Sequence, residues 1–359
     1  MKSTPSFGLH LLAAALLVAF AGACGSRNAT YRIQSPDENV EVRLWVDDAG
    51  RVLYDVRRSG SVVLAASRLG LKRDDADFSE GMRVVSAEDP RLVEEAYELL
   101  HGKQRSHAYA ANERVFRLEN RAGDPLDVVF RLSDDGVAFR YHFPERDDEV
   151  RTIEEEVTTF RFPEGSRAWL QPLANVNTGF AHTNPSYEEH YAIDVEVGTP
   201  APDSAGWAYP ALFRSGETWA LITEAGLGRN YAATRLRQHA PEGEYRVGFP
   251  QAQEVFPGGP LKPTSTLPWS TPWRIVALGS LETIVESTLG TDLAEPAGEG
   301  DYAWVRPGRA SWSWAKLKDP SVNYDTQKRF VDYAAEMGWE YTLVDVNWDT
   351  TIGYERIAE

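Results

Sequence analysis

The sequence predicts a mainly β protein, a large antiparallel sandwich followed by the opening of a parallel α/β unit. Three observations carry that expectation. Segments in which apolar and charged residues alternate with period two recur through most of the chain. Clusters of Asp, Asn, Gly and Pro separate them, as turns require. Near residue 280 the pattern changes to helical spacing, and a strand, a helix and a second strand follow.

The chain opens with Lys2 and an apolar run, Leu11 to Phe20, too short to span a bilayer as a helix. Ala21-Gly22-Ala23 then leads into Cys24, the single cysteine, so no intrachain disulfide can form. Small residues before a lone Cys at the end of such a run resemble a bacterial lipoprotein signal, in which Cys24 becomes the lipidated first residue. The alternative is an ordinary secretory signal with a cysteine nearby, and both imply export. Gly25 and Ser26, rather than Asp, point to the outer membrane of a Gram-negative envelope. Residues 1–23 are thus expected as a signal and 24–30 as a short tether.

Strands follow at 31–34, 40–46 and 51–56, with turns at Ser35-Pro36-Asp37 and Asp47-Asp48-Ala49-Gly50. The same alternation marks 115–119, 126–132 and 137–143, the last two joined by Asp134-Asp135-Gly136. Further strands are expected at 158–162, 219–223, 244–249 and 273–278. Many short strands without a long helix argue for a sandwich over 31–280. Residues 281–303 read as a helical linker. Trp304 to Trp314 gives a turn and a short aromatic strand. The spacing predicts a helix over 324–337, with Phe330, Val331, Tyr333, Ala334 and Met337 on one face and Gly338 as its stop. A strand over 341–349 completes a single βαβ unit in 304–359. One such unit cannot cover both faces of its sheet, so the chain is expected to be cut early in a second domain.

Composition narrows the function classes. With 42% hydrophobic and 25% charged residues the chain is globular rather than disordered. The formal charge is −17, from 37 Lys and Arg against 54 Asp and Glu, and no basic tract appears, which argues against nucleic-acid binding. Eleven Trp suit large cores or stacking surfaces for sugar rings. There is no phosphate-binding glycine loop and no Gly-x-Ser-x-Gly elbow.

The ordered set SPDENVEVRL, SRLGL, DDGVAFRYHF, WVRPGRASWSW, YDTQKRFVDYAAEMGWEY and VDVNWD resembles glycoside hydrolase family 97 from about residue 31 to the end. The resemblance implies a galactose-mutarotase-like β-super-sandwich followed by the truncated start of a catalytic (β/α)8 barrel. It implies an exported hydrolase of α-linked glucosides or galactosides, inverting or retaining, with calcium near the active site and an α-linked oligosaccharide or glycoside as partner. Glycoside hydrolysis needs two carboxyl groups flanking the anomeric carbon. The resemblance places both on later barrel strands, so no catalytic residue is assigned here.

The remaining candidates are Glu188, which the resemblance implies, and residues singled out by their own place in the sequence. Glu188, in Asn184-Pro185-Ser186-Tyr187-Glu188-Glu189-His190-Tyr191, matches a calcium ligand contributed by the β domain. Glu189 is its rival, and a solvated acidic pair is the plain alternative. His182 and His190 flank that loop without the spacing of a known zinc signature. Asp345 is a candidate substrate-binding carboxylate, or a cap on the turn that follows. Trp312, Trp314 and Trp348 are candidate sugar-stacking rings, or packing between barrel and sandwich. Glu224 reads as a buried carboxylate bonded to backbone, or as support for an active-site rim. A noncatalytic carbohydrate-binding surface lipoprotein is the alternative function. A mutarotase-like activity of the sandwich itself lacks the His and Glu constellation it would need.

Overall fold

The computed structural model describes residues 29–178, 182, 188–298 and 300–359. The signal segment and Cys24 lie outside the described residues, as does most of the tether. The chain divides into two compact units. One runs through Val93 and resumes over Ala110–Ala294; the other combines Glu94–Tyr109 with Glu295–Glu359.

The first unit is a β-sandwich. The smaller of its two main sheets is an antiparallel meander of Tyr31–Gln34, Val40–Val46, Val52–Arg58 and Ser61–Leu69, and a further three-stranded sheet joins Thr159–Arg161, Glu244–Gly248 and Arg235–Leu236. Alternation sets the inner face of the meander: Val40, Val42 and Leu44 are buried, while Glu41 and Arg43 are partly exposed. Asp55 breaks the rule, since it is 4% exposed. Its cross-strand partner Arg43 answers it, with Nε donating to Oδ1 at 2.9 Å.

The larger sheet centres on one long strand, Gly136–Glu156, hydrogen-bonded to Pro125–Ser133 on one side and Trp273–Gly279 on the other. Thr264–Ser270 pairs further along it, and the register slips on both sides of Asp147. Such slips bend a strand. Its end, Ile153 to Glu156, pairs with Leu71–Arg73, which directly follows the smaller sheet. The chain passes between sheets at Gly70, where φ is +135° and a Cβ would stand 2.6 Å from the Phe78 carbonyl oxygen. Only glycine fits there. The Tyr141 hydroxyl accepts from Gly70 N–H at 2.8 Å, and Val157 N–H donates to the Gly70 carbonyl at 2.9 Å.

The two sheets meet through aromatic rings. Tyr54 lies 5.4 Å from Phe139 and 6.1 Å from Phe130, and its buried hydroxyl donates to the Thr159 carbonyl at 2.9 Å. Phe162 stacks on Phe213 at 4.0 Å. Amid this apolar material sits an ionic knot. Arg274, 1% exposed, forks onto Glu156, with Nε to Oε1 at 2.9 Å and Nη2 to Oε2 at 2.6 Å. Its Nη1 donates to Glu224 Oε2 at 2.5 Å. Tyr231 donates to Glu156 at 3.1 Å, and Thr234 donates to Glu224 through both N–H (2.9 Å) and hydroxyl (2.7 Å). Two short helices, Leu281–Glu286 and Leu289–Asp292, bury Ile284 and Leu289. They belong to the sandwich unit, whose boundary falls after Ala294, inside the stretch read from sequence as a linker.

In the second unit Ala310–Trp312 and Tyr341–Leu343 pair in parallel, with the helix Tyr324–Glu336 between them in sequence. Asn323 caps that helix by accepting from Thr326 N–H at 3.0 Å, and Gly338 ends it at φ +64°. Of the expected apolar face, Ala334 is buried and Phe330 half-buried. Val331, Tyr333 and Met337 are each nearly half exposed. The second strand stops at Leu343 instead of running to 349. Local bonds win there: Asp345 accepts from Val346 N–H at 2.7 Å, Asn347 turns left-handed at φ +68°, and a helical turn Trp348–Thr351 begins.

Replacing Arg274 by Met strands two buried carboxylates. It is expected to cost about 3–5 kcal/mol of stability in urea unfolding, with Glu156→Gln costing less. An Arg274→Met midpoint equal to that of the parent would show that the knot contributes nothing net.

Candidate functional site

The second unit assembles an aromatic cluster at the end of its first strand. Trp312 is the last residue of that strand and Trp314 the first of a helical turn, Trp314–Leu317. Trp314 is therefore not on the aromatic strand that the sequence suggested. The two indoles stack at 5.2 Å with 17° between planes. Each is pinned by a carboxylate. Trp312 Nε1 donates to Asp345 Oδ2 at 2.8 Å, and Trp314 Nε1 donates to Asp319 Oδ1 at 2.7 Å. The Lys318 ammonium stands 4.0 Å from the Trp314 ring centre.

Beneath the cluster lies a buried polar layer. Ser311 donates to the Phe330 carbonyl at 3.0 Å, which ties the first strand to the helix. Gln327, 2% exposed, donates to Ser313 Oγ at 2.7 Å and to the Ser321 carbonyl at 2.9 Å. These bonds fix the turn that presents both indoles.

The geometry thus joins Trp312, Trp314 and Asp345. Asp345 uses one oxygen on the indole and the other on Val346 N–H. A carboxylate has about four acceptor positions, so it keeps capacity for hydroxyl donors. Trp348 pairs edge to face with Tyr354 at 5.0 Å. Asp319 and Lys318 escaped the sequence reading. The only hint was their place in the Lys318-Asp319-Pro320 turn, close behind Trp314.

In the first unit Glu188 is exposed on an irregular segment, and 183–187, including Tyr187, lie outside the described residues. His182 is exposed, with Nδ1 at 3.3 Å from the Asn177 carbonyl. Among the described residues no group of three or more His, Cys, Asp or Glu is arranged to hold a metal. Calcium takes six to eight oxygens, so these residues do not by themselves make up its shell. Glu224 is the last residue but one of the strand Thr218–Ala225, where it accepts from Thr234 N–H and from Arg274. It is a structural carboxylate of the ionic knot.

Comparison with known proteins places these units. Residues 33–296 match the family model described as glycosyl-hydrolase 97 N-terminal. A curated relative from Streptomyces bingchenggensis (strain BCW-1), named "Probable retaining alpha-galactosidase", is 35% identical over 327 residues, 90% of this chain and 47% of its own length. A crystal structure of a beta-arabinopyranosidase superposes with a TM-score of 0.85 at 35% identity, covering 91% of this chain and 52% of the other. A glycoside hydrolase family 97 enzyme from Pseudoalteromonas sp. strain K8, solved with panose, shares the fold at a TM-score of 0.71 and 22% identity, over 89% of this chain and 49% of the other. The chain spans about half the length of the curated relatives it matches. It belongs to glycoside hydrolase family 97, with the family's N-terminal domain over residues 33–296.

Proposed function

We propose that this chain is the front part of an exported glycoside hydrolase that acts on α-linked sugars, with the galactose configuration preferred. The observation that carries this reading is 35% identity over nine-tenths of the chain to the curated relative named as an α-galactosidase. The β-arabinopyranosidase at the same identity supports the same ring stereochemistry. A β-L-arabinopyranoside has the ring configuration of an α-D-galactopyranoside without its C6 hydroxymethyl group. A site that accepts both reads the shared C1–C4 hydroxyl pattern and tolerates change at C5.

In this reading the parallel pair Ala310–Trp312 and Tyr341–Leu343 begins a (β/α)8 barrel, whose strand ends carry substrate groups. The exposed part of Trp312 offers a sugar its apolar face, and Asp345 accepts a hydroxyl beside it. The acid and its carboxylate partner belong to further β/α units of a longer protein. A calcium ion would take one carboxylate from Glu188 and its other oxygens from elsewhere in the longer protein. The lipid at Cys24 would hold the whole on the outer membrane.

Assayed alone, the 359-residue chain should not turn over aryl α-galactosides or α-glucosides, because both carboxyl groups must flank one bond. The longer protein should. Turnover by the chain alone would mean the catalytic groups lie within it, and no turnover by the longer protein would favour the binding lipoprotein instead. In the longer protein Trp312→Ala should raise KM about fivefold, the loss of about 1 kcal/mol of stacking, while Trp312→Phe keeps most of it. An unchanged KM in Trp312→Ala would remove this ring from the substrate wall.

Calcium is tested by titration calorimetry on the longer protein. Glu188→Gln keeps shape and one oxygen but loses charge, so affinity should fall, whereas Glu189→Gln should not change it. Parental affinity in Glu188→Gln would return the pair to a solvated acidic loop.

A further inference from the structure

The sandwich unit holds an open cleft of about 710 Å3, within the range of small-molecule sites. Its walls include Lys72, Glu155, Arg237, Gln238, Phe249 and Lys262. These come from five separate stretches of chain, so no local motif announces them.

Charge in this cleft is out of balance. Glu155 is the meeting point of three cations. Arg237 Nη2 lies 2.9 Å and Arg246 Nη2 2.8 Å from its Oε1, and Lys72 Nζ stands 4.0 Å from its Oε2. Lys72 is also 4.0 Å from the well-exposed Asp77. The other charges are matched: Arg235 forks onto Glu254, and Lys262 bonds Glu154 through its carbonyl and lies 3.5 Å from its carboxylate. Arg68, which adds to the positive field, is 3.8 Å from the exposed Glu80. Burial, then repulsion from Arg237, holds the Arg246 guanidinium below its usual value, and Glu155 does not restore it. On a chain of net charge −17, this is a local reversal of sign.

We propose that this cleft takes the carboxylate of a uronate-bearing oligosaccharide. The Arg237 guanidinium and the Lys72 ammonium line the cleft and share Glu155 with Arg246 behind it, so they can accept a second carboxylate, and guanidinium forks suit carboxylates. Around them lie groups that suit a sugar: the Phe249 ring, the Gln238 and Gln251 amides and the Ser204 hydroxyl. The saccharide half of this inference rests on the proposed function; the anion half rests on the charges alone.

The test is calorimetric titration of the full chain with digalacturonate, neutral galactobiose and inorganic sulfate. Digalacturonate should bind at least tenfold tighter than galactobiose, and added salt should weaken it. Arg237→Gln should lower affinity at least fivefold. Glu155→Gln removes the competing carboxylate and should raise it, a sign that a folding defect does not produce; melting curves check that both variants fold. Equal binding of acidic and neutral disaccharides, or no binding at millimolar concentration, would overturn the proposal. So would loss of affinity in a folded Glu155→Gln variant. Displacement of digalacturonate by sulfate at equal concentration would reduce the cleft to a bare anion site and reject the saccharide. Hydrolysis of an aryl α-galactoside by the longer protein is measured separately; its absence would defeat the proposed function and leave these titrations readable.

Discussion

The sandwich is organised around a charge that has nowhere else to go. Arg274 is fully enclosed, and its five N–H donors must all be met inside the protein. Glu156 takes two of its bonds and Glu224 a third. Each carboxylate belongs to a different strand, and Arg274 to the strand between them. The guanidinium fork therefore ties Gly136–Glu156, Trp273–Gly279 and Thr218–Ala225 together. Tyr231 and Thr234 join the same knot, so the loop after the sheet is held as well. Removing the cation alone would leave both carboxylates buried without their partner.

Ions also act at the surface of this unit, where the balance differs. In the knot one cation faces two carboxylates, and every oxygen named above has a donor. At Glu155, one residue earlier on the same strand, the ratio inverts. Alternation sends neighbouring side chains to opposite faces of the sheet. A single dipeptide, Glu155-Glu156, thus contributes to an inward structural pair and to a cleft open to solvent.

Much of this architecture is legible in the sequence, and the failures have physical causes. The strands at 31–34, 40–46 and 137–143 show clear alternation because one face meets the core and the other meets water. Arg167–Leu170 and Ala192–Glu196 show too few alternating residues to stand out, and Ser61–Leu69 carries small residues at Ala65, Ala66 and Ser67 that blur the period. The second parallel strand ends earlier than its sequence suggests, because Val344 and Val346 favour extended chain while Asp345 and Asn347 form local bonds that stop it. Trp312, Trp314 and Asp345 were legible as candidates one by one. Their junction was not, because it rests on an indole N–H reaching 33 positions ahead. The cleft at Glu155 is invisible for a stronger reason: the cations around that carboxylate lie at 72, 237 and 246, and only the folded chain brings them together.

The long strand Gly136–Glu156 has a consequence for how the unit is made. One end needs Leu71–Arg73 and the other needs Trp273–Gly279, about two hundred residues later. Both pairings join residues far apart in sequence, and chains of such topology fold slowly. Until residue 279 has left the ribosome, the central strand has an open edge over Gly136 to Phe139. The last strand is thus the closing seam of the sandwich, and the ionic knot at Arg274 forms only when that seam is shut.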